Sequence, residues 1–494
     1  MKWLALIMTC LCSSATLLAA TAEIRHTHAV FYPGLDNQPV LQIKITGKKG
    51  EKITSLKINT GSTTPTCKIK TARLSSSGQR NAFTTHTKNP VVQQAEKANV
   101  KGTFSFDVDI ELQDKPHYLW VSYDLPATAK RNSKVDALCT EIRMADGSVV
   151  KPKLKMAQGI EKRVIGQIYP FPHRIVPYYR PRWVKGWGKS ETAVHLTPEH
   201  FNLFTDLIHF AYSITDAGEI SYQWAGGANS QKTVDGALAE IKRLHREGDS
   251  RARLIAGFGF IDKQITSIIP RPAVRRKLAR NMAKWAIERG YQGIDLDWEY
   301  PENANQWNQF ALFLAELREE LAGSGISISI AASVNYRIPT LQVTDQIDFI
   351  LTMSYGSQSA QHASMERYQR EANICVNQLK MPKVKVVLGL PFYSNEQGKL
   401  TDQYGYSQIY NWYPNLKPDV NTFRAKKKDG SDGAMHSFNG RKLISDKCEW
   451  AKDNKFGGVM IWAYETDLPL SHHASLGRAM YKVMRQPKKK GSAN

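Results

Sequence analysis

The sequence predicts a multidomain chain, an N-terminal all-β sandwich followed by a (β/α)8 TIM barrel, and three observations carry that prediction. The chain has 494 residues, too many for one ordinary core. Up to about Met156 it carries short runs of period-two alternation broken by Gly, Asn, Asp and Pro, the pattern of an antiparallel sandwich. From Ile175 onward apolar strands alternate with longer stretches of helical spacing, the pattern of a parallel sheet covered by helices. A hydrophobic share of 42% and a charged share of 23% fit a folded chain rather than a disordered one.

Residues 1–22 read as an export signal. Lys2 supplies a positive start, an apolar stretch runs from Trp3 to about Ala19, and Ala20-Thr21-Ala22 offers a small-x-small cleavage site. The mature chain is then expected to begin near Glu23, secreted or periplasmic. Thr9, Ser13 and Ser14 interrupt the stretch, which is short for a spanning helix, and no other segment is long and apolar enough, so no membrane span is expected. The sandwich is expected over 23–156. Its strongest strands are Val40 to Ile45, Phe104 to Ile110 and His117 to Tyr123. Residues 157–174, containing Pro170 and Pro172, form a linker.

The barrel is expected over 175–485, with a basic tail at 486–494. Its strands read as Ile175 to Tyr179, Leu207 to Tyr212, Leu254 to Phe258, Gly293 to Trp298, Ile326 to Ala332, Phe349 to Met353, Val384 to Leu390 and Gly458 to Trp462. Val234 to Arg246, Ala273 to Arg289 and Asn308 to Ala322 have helical spacing. Catalytic side chains of such a barrel sit at the C-terminal ends of its strands.

The formal net charge is +22, with lysine clusters at Lys48–Lys49, Lys426 to Lys428 and Lys488 to Lys490. That field attracts an anionic glycan or an acidic cell-surface polymer. No nucleic-acid fold motif accompanies it, so no nucleic-acid partner is expected. Cys67, Cys139, Cys375 and Cys448 allow three pairings. Cys67 with Cys139 and Cys375 with Cys448 would keep each bridge inside one domain; four free buried thiols is the equal alternative. No CxxC or His-x-x-x-His spacing is present, so no metal site is expected.

The chemistry concentrates in Tyr291-Gln292-Gly293-Ile294-Asp295-Leu296-Asp297-Trp298-Glu299-Tyr300-Pro301. Side chains alternate along a strand, so Asp295, Asp297 and Glu299 share one face while Ile294, Leu296 and Trp298 share the other. Three acids in a row repel one another and lose hydration inside a barrel, which stability alone does not reward. A catalytic site does reward it, because neighbouring carboxylates keep one of their number protonated as a general acid near neutral pH.

This segment resembles the fourth strand of glycoside hydrolase family 18, whose hallmark is Asp-Gly-x-Asp-x-Asp-x-Glu. The resemblance spans most of the second domain. Leu254 to Phe260 is similar to the family's third strand and Met353-Ser354-Tyr355 to the Met-x-Tyr of its sixth. Gly389-Leu390-Pro391-Phe392-Tyr393 is similar to the seventh strand and Gly457-Gly458-Val459-Met460-Ile461-Trp462 to the eighth. It implies a retaining, substrate-assisted hydrolase of chitinase type. The substrate would be a β-linked, N-acetylglucosamine-containing polysaccharide or glycan, cleaved with no metal or organic cofactor. By the same resemblance Glu299 donates the proton, Asp297 orients the substrate's N-acetyl group and Asp295 holds Asp297. Tyr355 hydrogen-bonds the acetamido group and Trp462 floors the cleaved sugar. Met353, Trp298 and Tyr393 complete the substrate-binding set.

The alternatives are an endo-β-N-acetylglucosaminidase on N-glycans, a wall-directed hydrolase of the same chemistry, and a catalytically weak chitinase-like glycan-binding lectin. Such lectins commonly lack the glutamate that stands here as Glu299. Departures from the pattern are Gln292 for the first Asp, Gly356 for the Asp after Met-x-Tyr, and Ala256 and Phe258 for Ser-x-Gly-Gly. In the first domain His117 to Leu125, Ala127 and Val135-Asp136-Ala137 resemble the N-terminal domain of BNR-repeat neuraminidases. This implies an accessory sandwich without sialidase chemistry, since no Asp-box repeat follows.

Overall fold

A computed structural model describes residues 19–180, 196–224, 227–228, 231–260, 262–400, 404–427 and 429–485. Most of the expected export signal, up to residue 18, and the basic tail lie outside the described residues. The first strand, Thr21–His26, begins two residues ahead of the expected mature start.

Two sheets face each other in the first domain. One runs Lys153–Leu154, Thr21–His26, Gln38–Thr46, His117–Asp124, Thr71–Gly78, Val92–Ala98, and the other runs Val149–Val150, Leu138–Met144, Lys52–Asn59, Thr103–Glu111. Period-two alternation turns Ile43, Leu56, Phe106, Leu119 and Ile142 into one shared core. Cys67, Cys139, Cys375 and Cys448 are buried free thiols, which overturns the paired alternative. Loss of hydration pushes Cys67 up to about 11 and Cys139 to about 12, so they behave as small apolar fillers.

Eight parallel strands close the second domain into a barrel: Arg174–Tyr179, Asp206–Ile214, Arg253–Phe260, Gly293–Trp298, Ser327–Ala332, Phe349–Thr352, Val386–Pro391 and Gly458–Trp462, with the first pairing both the second and the eighth. Alternation sorts their side chains. Ile175, Leu254, Ile294, Leu296, Ile328 and Leu388 pack outward under the helices. Val176, Tyr178, Ile208, Phe210, Ile255, Leu351 and Met460 fill the interior.

Local chemistry sets the element ends. The helix after the fourth strand spans Ala304–Glu320, four residues ahead of the expected start, because Asn303 caps it by accepting from the Gln306 amide at 3.0 Å. The seventh strand starts at Val386 rather than Val384 because Lys383–Lys385 coil into a 3-10 turn.

The connection at 157–174 is packed along its length. Gly166–Ile168 adds a strand between Val30–Phe31 and Lys134–Val135. Ala157 and Val164 donate backbone hydrogen bonds to the barrel carbonyls of Ala322 and Gly323 at 2.8 Å each. The sandwich seats on the end of the barrel where the strands begin. There Arg174, fully buried, donates to both Asp206 oxygens at 2.9 Å and to the hydroxyl of Tyr32 from the sandwich at 2.9 Å. Its guanidinium lies 3.6 Å from the Tyr169 ring centre and 3.9 Å from that of Phe349. Its two terminal nitrogens are paired, which makes the buried charge tolerable, while Nε has no hydrogen-bond partner. Asn81 donating to Glu319 at 2.6 Å, Thr85 donating to Asp345 and an Arg25–Glu319 ion pair extend the seam.

Candidate active site

The fourth barrel strand turns Asp295 and Asp297 into the interior, and Glu299 follows at the mouth where the strand ends. Small neighbours make room for them. Gly257 and Ser329 flank Asp295, and Gly259 and Ala331 flank Asp297, in register on the adjoining strands.

Asp295 is fully buried and doubly held. Tyr178, on the first strand across the barrel, donates to one oxygen at 2.5 Å, and Ser329 donates to the other at 2.6 Å. Burial lifts its carboxyl to about 6 even though both hydroxyls pull the other way. Asp297 is 6% exposed, and its Oδ1 is buried without a hydrogen-bond partner. Its pKa stands well above the ordinary value, through burial first, then the charge of Glu299, then that of Asp295. Glu299 is open to solvent at the mouth, yet protein crowds it enough to raise its pKa too, against a hydrogen bond with Tyr300. The row therefore sets a solvent-reached carboxyl, Glu299, beside a buried one, Asp297, whose Oδ1 has no hydrogen-bond partner.

Aromatic groups wall this row. Tyr355 is buried, its ring 5.9 Å from that of Tyr393, and its hydroxyl reaches the Met460 sulfur at 3.8 Å. Burial, Tyr393, Asp297 and Glu299 all push its pKa up, so it remains a donor. Met353 and Tyr393 join the same interior cluster, against which half-buried Trp462 and Tyr300 pack. The Trp462 ring lies 5.2 Å from Tyr178 and 5.3 Å from Phe210, both edge-on. Arg180 sits 5.1 Å over Trp462 and is paired with Glu465 at 2.5 Å. Further out, Tyr300 meets Tyr336, which is 67% exposed, at 6.0 Å.

Of the eight expected site residues, seven converge here and Trp298 does not. Its side chain takes the outer face, where its indole N–H donates to Asp262 at 2.7 Å and its ring packs 5.5 Å from Phe310. The alternation that turns the acids inward necessarily turns Trp298 out. The sequence reading missed Tyr178, Ser329 and Tyr300. Tyr178 and Ser329 occupy inward positions of strands it did identify, which was the available signal. Among the described residues no group of three or more His, Cys, Asp or Glu side chains is placed to hold a metal ion.

The family model for glycosyl hydrolases family 18 matches residues 174–467. The chain belongs to this family. A second model, the N-terminal domain of BNR-repeat neuraminidase, matches residues 20–148. Relatives include Chitinase 1 of Aphanocladium album, 27% identical over 238 residues, covering 38% of this chain and 55% of that one. Another is a putative sporulation-specific glycosylase, YdhD, of Bacillus subtilis (strain 168), 24% identical over 197 residues, covering 37% and 44%. The chain thus spans about half the length of the relatives it matches. Among solved structures, a chitinase from Bacteroides thetaiotaomicron aligns with a TM-score of 0.52 at 18% identity, over 63% of this chain and 96% of that one. The Ostrinia furnacalis Group II chitinase catalytic domain 2 aligns with a TM-score of 0.51 at 18% identity, over 64% and 97%. These two alignments establish the shared fold.

Measured against the family 18 pattern, the departure at Gly356 has a backbone cause. The residue sits at φ +72°, where only glycine is unstrained, and its amide donates to His362 at 3.2 Å. A Cβ there would face the Tyr393 hydroxyl at 3.6 Å, so space is available and conformation is the obstacle. Gln292 lies at the opposite end of the strand from Glu299, and its side chain accepts from the Leu254 amide at 3.2 Å.

Proposed function

We propose that the chain hydrolyses β-linked N-acetylglucosamine glycans of the chitin type, with retention of configuration and with assistance from the substrate's own acetamido group. One observation carries the reading: the inward acid row ends in a solvent-reached Glu299, its pKa raised, beside Asp297, whose Oδ1 is buried and unpaired. A buried acceptor left open in a folded chain calls for a partner.

In the proposed reaction the Glu299 carboxyl gives its proton to the glycosidic oxygen as the bond from that oxygen to the anomeric carbon breaks. The acetamido carbonyl oxygen attacks the same carbon from the other face, closing an oxazolinium ring. Asp297 accepts the ring N–H and offsets its positive charge, and Asp295, held by Tyr178 and Ser329, keeps Asp297 in place. The Tyr355 hydroxyl donates to the acetamido oxygen. Water then adds to the anomeric carbon, Glu299 takes its proton, and the ring opens with two inversions, hence retention. Trp462 supplies the flat apolar floor, with Met353 and Tyr393 as walls.

Product analysis with chitin oligosaccharides and with a high-mannose glycoprotein tests the reading. Release of diacetylchitobiose is the expected result. Release of a whole N-glycan instead assigns an endo-β-N-acetylglucosaminidase, and binding of either without turnover overturns the hydrolase.

A further inference from the structure

Tyr336 turns its ring into solvent beside the acid row. It is 67% exposed, the most exposed of the large hydrophobic side chains among the described residues, and the others exposed with it are aliphatic. A lone exposed apolar side chain is ordinary, so its surroundings decide what it can do.

Those surroundings are the barrel mouth. Tyr336 lies four residues beyond the fifth strand, Ser327–Ala332, at the end where Glu299 follows the fourth. The turn that carries it is held. The Ser333 carbonyl accepts from the Tyr336 amide at 3.1 Å and from the Arg337 amide at 2.9 Å, and Val334 and Pro339 on either side are buried. Arg337 lies over the Tyr336 ring, 4.9 Å from its centre, and donates to the Glu302 carbonyl at 3.1 Å, tying this turn to the segment after the fourth strand. Tyr300 stands edge-on to Tyr336 with ring centres 6.0 Å apart, and Tyr300 is itself hydrogen-bonded to Glu299. Two aromatic rings thus lead outward from the acid.

Trp462 ends the eighth strand, four strands away from the fourth around the closed ring. In the proposed reaction the sugar that keeps the anomeric carbon rests on Trp462, and Glu299 protonates the oxygen on its far side. The departing sugar then lies toward Tyr300 and Tyr336. The flat C–H face of a pyranose suits an exposed phenol ring and needs no charge from the protein.

We propose that Tyr336 is a specificity-determining residue on the leaving-group side of the site, the platform for a departing, uncharged N-acetylglucosamine unit. This rests on the hydrolytic reading and adds to it a preference for substrates with a sugar beyond the bond that is cut.

Steady-state kinetics of the full chain on two substrates tests this. Chitotetraose has sugars on both sides of the cleaved bond, whereas β-diacetylchitobiosyl fluoride has a leaving group too small to reach Tyr336. Tyr336→Ala is expected to lower kcat/KM for chitotetraose about three- to tenfold, mainly through KM, and that for the fluoride less than about twofold. Tyr336→Phe, which keeps the ring, should restore most of the loss on chitotetraose. Equal losses on the two substrates, no loss on chitotetraose, or a Phe variant as impaired as the Ala variant overturns the proposal. A parent that cleaves neither substrate overturns the hydrolytic reading and the platform with it, whereas a parent that cleaves both and is matched by Tyr336→Ala removes the platform alone.

Discussion

Asp295 and Asp297 occupy interior positions where a core would otherwise place valine or leucine, and their raised pKa values record the cost. Asp295 stands at about 6, against about 3.9 for a free aspartate. A folded pKa above the unfolded one means its contribution is most favourable below about pH 4 and is lost as pH rises through 6. The difference corresponds to on the order of 3 kcal/mol. Asp295→Asn is therefore expected to gain thermal stability relative to the parent as pH goes from 4 to 7; a flat difference in melts across that range contradicts the buried-acid account. With the Glu299 and Asp297 carboxyls raised, the alkaline limb of kcat/KM is expected above the ordinary glutamate range, and a limb at that ordinary value contradicts Glu299 as the acid. At Gly356, substitution by Asp is expected to cost about 1 kcal/mol through its φ of +72°, read as a lower denaturation midpoint. Much of this was legible: period-two spacing alone turns three acids one way and Trp298 the other. Which hydroxyls meet Asp295 was not, because Tyr178 approaches from across the closed barrel, 117 residues earlier in the chain.

Strands and helices followed their periodicities, and their ends followed caps and turns that periodicity does not report. Asn303 moved one helix start by four residues, and a 3-10 turn delayed the seventh strand. The Asn303 cap lies directly after the acid row, so it fixes the segment that carries Tyr300. Asn303→Ala is expected to cost roughly 1 kcal/mol of stability, measured by chemical denaturation. The eighth strand ends in Trp462, whose ring is braced edge-on by Tyr178 and Phe210. Trp462→Ala is expected to raise KM for chitin oligomers with folding retained; an unchanged KM removes it from the sugar floor.

The two domains form a single body through their seam, and nothing in the linear sequence announced it. Arg174 and Tyr32 lie 142 residues apart, and only docking brings them to 2.9 Å. A hydrogen bond to a buried charge is costly to remove, so Tyr32→Phe is expected to destabilise by about 1–3 kcal/mol. Calorimetry of the parent should show one cooperative transition; two separated ones would mean that the seam carries little energy.

In the proposed reaction a proton passes from Glu299 to a departing saccharide while the substrate's acetamido group closes on the anomeric carbon. Proton NMR of freshly cleaved chitotetraose, with the parent and with Glu299→Gln, reads it most directly. The β-anomer should appear first with the parent, and turnover should fall roughly 10²- to 10⁴-fold in the variant without loss of fold. First appearance of the α-anomer, or equal turnover by the two proteins, contradicts the account.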